Sequence, residues 1–264
     1  MRNEGDRAAR NGLPVIDRVS DMLDLLERRP GGMTIRDLSQ SLALPRSSVY
    51  RGLNTLEAHG LVRRSPAGAY RLGLHLLVLA AQVVVDPAEQ SLLALAQPHL
   101  EQLSLATGEA SKLSVLAGDR ALVVAVAQAR GNVGVAVTAG KSYPLHAGGA
   151  SKLLLAHLPP GEVERHLRGL AAFTGRTVTD RVDLLAELAE IRRRGWAQDR
   201  GEYASAVHAI AAPLRDGAGR VVAALSIPFL ADADARRRVR LRRAVIGAAA
   251  RICSALAAAG PVPP

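Results

Sequence analysis

The sequence predicts an α+β chain of two domains. A winged helix-turn-helix comes first, and a helix joins it to a larger domain of strands and helices. Three observations lead there. Residues 33–72, MTIRDLSQSLALPRSSVYRGLNTLEAHGLVRRSPAGAYRL, read as helix, tight turn, helix and short hairpin. From residue 110 onward, short alternating runs are interleaved with helical ones, as in an antiparallel sheet with helices at its faces. The length, 264 residues, allows two domains, each with its own core.

Composition narrows the partners. The chain is 48% hydrophobic and only 3% aromatic, so its core is built from Ala, Val, Leu and Ile. Against 24 acidic residues stand 34 basic ones, a formal charge of +10, which suits a polyanion and also serves solubility. Only three of the basic residues are lysines: Lys112, Lys141 and Lys152. The arginine excess beside so much alanine reads as genome base composition, not as phosphate recognition. Cys253 is the single cysteine, so no intramolecular disulfide forms and CxxC metal spacing is absent. A reducing cytoplasm is the expected compartment. The N-terminus has no apolar core and does not read as a secretory signal. The longest apolar run, 72–85, contains Gly73, His75 and Gln82 and falls short of the ~18 residues that span a bilayer. No membrane is expected as a partner.

Residues 1–12 carry Arg2, Arg7 and Arg10 beside Glu4 and Asp6, the composition of a disordered arm. A tail that touches phosphates or a minor groove is the other reading. Residues 13–72 form the winged domain. Ile16, Val19, Met22, Leu23, Leu25 and Leu26 keep helical period over 15–29, and Pro30-Gly31-Gly32 ends that helix. Thr34 then caps a helix over 35–41, with Asp37 at its third position completing a capping box. Residues 42–44 make the turn. Pro45 opens the next helix at its first position, where a missing N–H costs nothing. That helix runs to about His59, and Gly60 stops it.

Its two faces differ. Val49, Leu53 and Leu56 lie at i, i+4 and i+7 and pack inward. Arg46, Ser47, Ser48, Tyr50, Arg51 and Asn54 fall on the other side, mostly toward the N-terminus, where a recognition helix meets base edges. Arg46 and Arg51 can pair bidentately with guanine edges or hold phosphates. The hydroxyls of Ser47, Ser48 and Tyr50 can bond phosphates or base edges. Arg36, on the preceding helix, joins the same DNA-binding set. Alone, this is an amphipathic helix with a solvated basic face. The capped helix before it and the hairpin after it make double-stranded DNA the expected partner. The hairpin pairs 61–64 with 69–72 across Ser65-Pro66-Ala67-Gly68, and Arg63, Arg64 and Arg71 make it a basic wing suited to backbone contacts.

Four stretches carry a family likeness: LPRSSVYRGLNTLEAHGLVRR at 44–64, YRLG at 70–73, PLHAGGASKLLLA at 144–156 and AIAAPLRDGAGRVVAALSI at 209–227. In this order and spacing the chain resembles the isocitrate-lyase-regulator (IclR) family of bacterial transcription factors over nearly its whole length. The resemblance implies a GAF/PAS-like effector-binding domain, homodimers that can pair into tetramers, and a pseudo-palindromic operator.

Residues 73–87 read as a linker helix, broken at Pro87, and 88–264 as the effector-binding domain. A long helix follows Pro87 and ends near Thr107-Gly108. Residues 110–116 and 121–127 form a hairpin, and 133–138 adds a third strand. Helices are expected over 151–158, 162–168 and 184–194. Strands over 206–213 and 220–227 flank a turn at 215–219, and 233–258 is the terminal helix.

Residues 145–152, LHAGGASK, put small residues at a helix start. Gly148, Gly149 and Ala150 would leave backbone N–H groups open to an anion. Tight packing of helix on sheet would demand the same small residues, and both readings stand. Neither GxxxxGK[ST] nor GxGxxG is present. The resemblance implies effector contacts at Gly149, Ala150, Asp199, Glu202, Ala209, Ser226 and Pro228. The family often has Cys where this chain has Ala209 and a second Ser where it has Pro228, so two polar groups are gone. A pocket more apolar than one built for very small oxoacids follows, with a larger carboxylic acid, aromatic or otherwise more apolar than glyoxylate, or a related small molecule as effector. Tight binding of glyoxylate or pyruvate would contradict this.

His208 faces away from Ala209 on a strand and is expected to be packed or satisfied. Trp196 is either core or pocket wall. Catalysis is not expected, since no GxSxG elbow or nucleophile–base pair is present. Nor is a metal or other cofactor, since no HExxH or similar spacing is present. Cys253 reads as an inert buried thiol. The run Arg236 to Arg243 reads as a solvated face or as ion pairs rather than phosphate contacts. The expected function is a ligand-responsive DNA-binding repressor. Unregulated architectural DNA binding and an enzyme in the sensor pocket are the alternatives.

Overall fold

A computed structural model describes residues 14–83, 87–129 and 134–258. The chain divides into two compact units between Asp86 and Pro87. The expected arm, 1–12, lies outside the described residues.

The first unit runs α1 (Pro14–Glu27), α2 (Ile35–Leu42), α3 (Arg46–Ala58), β1 (Val62–Arg64), β2 (Tyr70–Leu72) and α4 (His75–Val83). The capping box forms: Thr34 Oγ1 accepts the Asp37 N–H at 3.2 Å, and Asp37 Oδ2 accepts the Thr34 N–H at 3.0 Å. These bonds hold the Asp37 carboxyl below its usual range. Ala43, at φ 53°, takes the left-handed conformation that ends α2. Pro45 departs from expectation by one position. It is extended (ψ 139°) and caps α3, its carbonyl accepting the Ser48 and Val49 N–H groups. β1 and β2 pair antiparallel with Val62 opposite Leu72. Met22, Leu38, Val49, Leu53, Leu56 and Tyr70 form the core. Gly73 is sterically required, because a Cβ there would lie 2.0 Å from the Gly60 carbonyl oxygen. Its N–H bonds the Leu61 carbonyl at 2.8 Å, which pins the start of α4 to the end of α3.

The second unit begins with α5 (Pro87–Thr107), β3 (Ser111–Ala117), β4 (Arg120–Ala127), β5 (Ser142–Pro144), α6 (Gly149–Ala156) and α7 (Pro160–His166). It continues with α8 (Arg181–Arg194), β6 (Ala197–Asp199), β7 (Val207–Arg215), β8 (Val221–Leu230) and α9 (Ala235–Ala258). One sheet of six strands, in the order β5-β4-β3-β8-β7-β6, is antiparallel throughout. Alternation along each strand assigns its two faces. Leu225, Ile227 and Phe229 of β8 join Leu113, Ile210, Leu241 and Val245 under α5 and α9. Ala211 and Ala224 face the other way, under Leu153, Leu155, Leu188 and Ile191 of α6 and α8. Each leucine so buried contributes about 1.5–3 kcal/mol.

Two elements differ from expectation. Residues 134–138 form no strand. Gly140, at φ +84°, turns the chain, and β5 takes the place beside β4, Ala121 opposite Tyr143. The apolar alternation there serves a cavity instead, since Val135, Ala136 and Val137 line it. β6 was not anticipated; three residues are too short to show a period.

Candidate functional site

Two surfaces, one in each unit, carry the chemistry. In the first unit Arg36, Arg46, Ser47, Tyr50, Arg51, Asn54, Arg63, Arg64 and Arg71 are exposed, and Ser48 is half-buried. The guanidinium groups of Arg36, Arg46, Arg51 and Arg63 make no hydrogen bond or ion pair among the described residues. Val49, Leu53 and Leu56 hold the opposite face of α3 in the core, so its polar face projects outward. Two wing arginines are tied back. Arg71 Nε donates to the Gly31 carbonyl at 3.0 Å, and the Arg64 guanidinium lies 5.8 Å from the Tyr70 ring centre. The free cations therefore concentrate on α3 and at the edge of the wing, where the phosphate charge of a duplex would be met.

In the second unit a cavity of about 150 Å³ opens on the α6 side of the sheet. Its wall includes Gly148, Gly149, Ala150, Asp199, Ala209, Ser226 and Pro228. α6 lies close on β7: a Cβ on Gly149 would stand 3.4 Å from the Ala209 carbonyl oxygen, at ordinary contact distance. The Ser226 hydroxyl is wholly buried and has no partner among the described residues. Asp199 Oδ1 accepts the Gly201 and Glu202 N–H groups, both at 2.8 Å. Burial still pushes the Asp199 carboxyl above its usual range, opposed by those bonds and by Lys152.

Glu202 does not line this cavity. It borders a neighbouring concavity with Arg176, Arg194 and Arg200. Its Oε1 lies 2.6 Å from Lys152 Nζ, and its Oε2 accepts the Gly148 N–H at 3.3 Å. The helix start thus already faces a carboxylate of the chain itself. Lys152, fully buried, also meets Glu187 at 2.5 Å.

Sequence reasoning passed over Lys112, Lys141, Tyr143 and Tyr203, all at the cavity wall. One signal was visible. Where 34 basic residues include only three lysines, Lys112 and Lys141 line the cavity and Lys152 lies buried in α6. The pocket is therefore not simply the more apolar one that the loss of two polar groups suggests. Burial, and secondarily Lys141, pushes Lys112 down to about 8, against the pull of Asp199.

His208 packs edge-on against Phe229, ring centres 5.9 Å apart, with both ring nitrogens unbonded, so it is packed but not satisfied. Trp196 is not a wall residue; it stacks with Arg194 at 4.2 Å and Arg242 at 5.0 Å. Within the arginine run, Arg237 pairs with Glu109 and Arg238 bonds the Ala233 carbonyl. Cys253 is half-buried, its Sγ accepting the Arg215 N–H at 3.2 Å. Among the described residues no cluster of three or more His, Cys, Asp or Glu could hold a metal ion, and no helix is long and apolar enough to cross a membrane.

Comparison with known proteins adds the following. Residues 15–66 match the family described as the IclR helix-turn-helix domain. Residues 87–254 match the one described as bacterial transcriptional regulator IclR C-terminal. An HTH-type transcriptional regulator of Mycobacterium tuberculosis is 35% identical over 248 residues, 93% of each chain. The HTH-type transcriptional repressor AllR of Salmonella paratyphi A is 31% identical over 85% of this chain and 82% of its own. Among solved structures, an IclR homologue from Microbacterium hydrocarbonoxydans in complex with 4-hydroxybenzoate superposes with a TM-score of 0.75. It is 27% identical over 92% of this chain and 99% of its own.

Proposed function

This chain belongs to the IclR family of bacterial transcriptional regulators, and from that premise we propose that it is a repressor released by a small aromatic carboxylic acid. It is a DNA-binding regulator and not an enzyme. In this reading the α3 face and the wing read a pseudo-palindromic operator as a homodimer. Its half-sites lie about 34 Å apart, or a multiple of that. The effector occupies the cavity behind Gly149, Ala209, Ser226 and Pro228, and Arg36, Arg46 and Arg51 contact the duplex. The ligand acts by binding one arrangement of the dimer better than the other.

The observation that carries the effector class is the cavity itself. At about 150 Å³, with Ala209, Pro228 and Val207 on its wall, it has room for one aromatic ring. Apolar cavities of roughly this size take up benzene. The 4-hydroxybenzoate held by the Microbacterium homologue supports the same class.

Footprinting on the chain's own upstream DNA, with and without 4-hydroxybenzoate, tests the reading. Two protected half-sites that open on adding the acid are expected. Identical footprints in both conditions would refute regulation by this class of ligand.

A further inference from the structure

Lys112 and Lys141 are the cations that the fold leaves unpaired in the cavity. Lys152 is neutralised by Glu187 and Glu202. The other two ammonium groups make no hydrogen bond or ion pair among the described residues. Both instead lie over the Tyr143 ring, at 4.1 and 5.4 Å from its centre. Beside them is Ser226, the register partner of Lys112 across the β3–β8 ladder, whose buried hydroxyl has nothing to bond. A buried hydroxyl without a partner is uncommon enough to need a reason, and a ligand is one.

On the reading that the cavity takes an organic acid, the geometry points to Lys112 and Lys141, with Ser226, as the groups that receive its carboxylate. At the start of α6 the Gly148 N–H is already taken up by Glu202. Among the wall residues, two ammonium groups against one carboxylate leave a single positive charge, so the matching ligand carries one carboxylate. Its apolar body then faces Val207, Ala209 and Pro228.

This arrangement couples binding to protons. The groups facing Lys112 are Lys141 and Tyr143 from the β5 side, Asp199 from β6, Tyr203 from the loop after β6 and Ser226 from β8. Burial keeps the Tyr143 hydroxyl neutral, so Asp199 alone opposes the loss of the Lys112 proton. With Lys112 titrating near 8, an incoming carboxylate restores its charge and draws a proton from solution.

Isothermal titration of the full chain with benzoate and with its neutral isostere benzamide, at pH 8 in two buffers of different ionisation enthalpy, tests this. Benzoate is expected to bind about tenfold tighter or more, as a charge-assisted bond requires, with uptake of about half a proton. Lys112→Gln should abolish the uptake and weaken benzoate about tenfold, with benzamide unaffected. Lys141 is exposed, so Lys141→Gln should leave the melting temperature within about 1 °C of wild type. It should also weaken benzoate alone. Equal affinity for the two probes, or unchanged benzoate affinity in both variants, overturns the lysine assignment and leaves a small-molecule sensor standing. Binding of neither probe removes the aromatic-acid reading, and this inference with it.

Discussion

Lys152 Nζ stands 2.6 Å from Glu202 Oε1, with none of the lysine side chain exposed, and the other oxygen of Glu202 holds the Gly148 N–H. A buried ion pair thus fixes the loop that walls the cavity. Glu202 belongs to the support of the site and not to its lining.

Lys152→Met should therefore damage both stability and sensing. It leaves Glu187 and Glu202 facing each other without a cation. Breaking a buried pair from one side costs about 3–5 kcal/mol. Denaturant unfolding of the effector-binding unit should show that loss, and ligand affinity should fall with it. A change under 1 kcal/mol would mean that water replaces the lysine.

Ser226→Ala should behave in the opposite way. The hydroxyl it removes has no partner, so thermal stability of the ligand-free protein should stay level or rise. Benzoate affinity should fall while operator affinity stays unchanged. Equal loss of ligand and operator binding would make Ser226 a folding residue.

Arg51→Ala should reduce operator affinity by ~1–3 kcal/mol and relax specificity at one position if Arg51 reads a base. If it holds a phosphate, the slope of affinity against salt should drop by about one and all sequences should weaken together. Gel-shift titrations at several salt concentrations separate the two outcomes. If neither appears, the recognition face lies elsewhere.

Benzoate affinity should weaken as pH rises through 8, by about threefold per pH unit there and about tenfold in all, because the free protein loses the Lys112 charge. The stability effect has the opposite sense. Below about pH 8 the folded protein confines a charged lysine at a cost. That cost fades as pH rises from there toward the ordinary lysine value of 10.5. Wild type minus Lys112→Gln, followed by melting temperature against pH, isolates it.

Gly73→Ala should destabilise the DNA-binding unit. The added methyl would sit 2.0 Å from a backbone oxygen of Gly60, which no side-chain rearrangement can relieve. A lower melting temperature and weaker operator binding are expected. Thr34→Ala, which only removes a cap, should cost about 1 kcal/mol and is a useful comparison.

Most of the fold was legible because it is written locally. Thr34 and Asp37 are three residues apart and cap their helix without help. Val49, Leu53 and Leu56 show the buried face of α3 by spacing alone. The hairpins at 62–72 and 111–127 announce themselves by short turns between alternating runs. What failed locally was β5 against 134–138: both segments lie within reach of β4, and hydrophobic alternation does not say which one pairs. Gly140 and the cavity decided it.

The cavity was legible in part. Family resemblance placed Gly149, Asp199, Ala209, Ser226 and Pro228 together, and the fold brings them to one wall. It also placed Glu202 there, and a lysine one helix away drew it into a different role. Trp196 could not be assigned from sequence because its neighbours, Arg194 and Arg242, come from separate helices.

By itself, then, the sequence determined the helices and the longer strands, which face of α3 looks outward, and which family the chain resembles. These follow from periodicity and caps, which act over a few residues. Only the tertiary structure decided where unpaired charge collects. Lys112 on β3, Lys141 before β5 and Ser226 on β8 are far apart in the chain. They meet because antiparallel pairing folds β5 back along β4 and sets β8 beside β3. Charge in a cavity depends on distance and burial, and neither is a property of a residue until the sheet has closed around it.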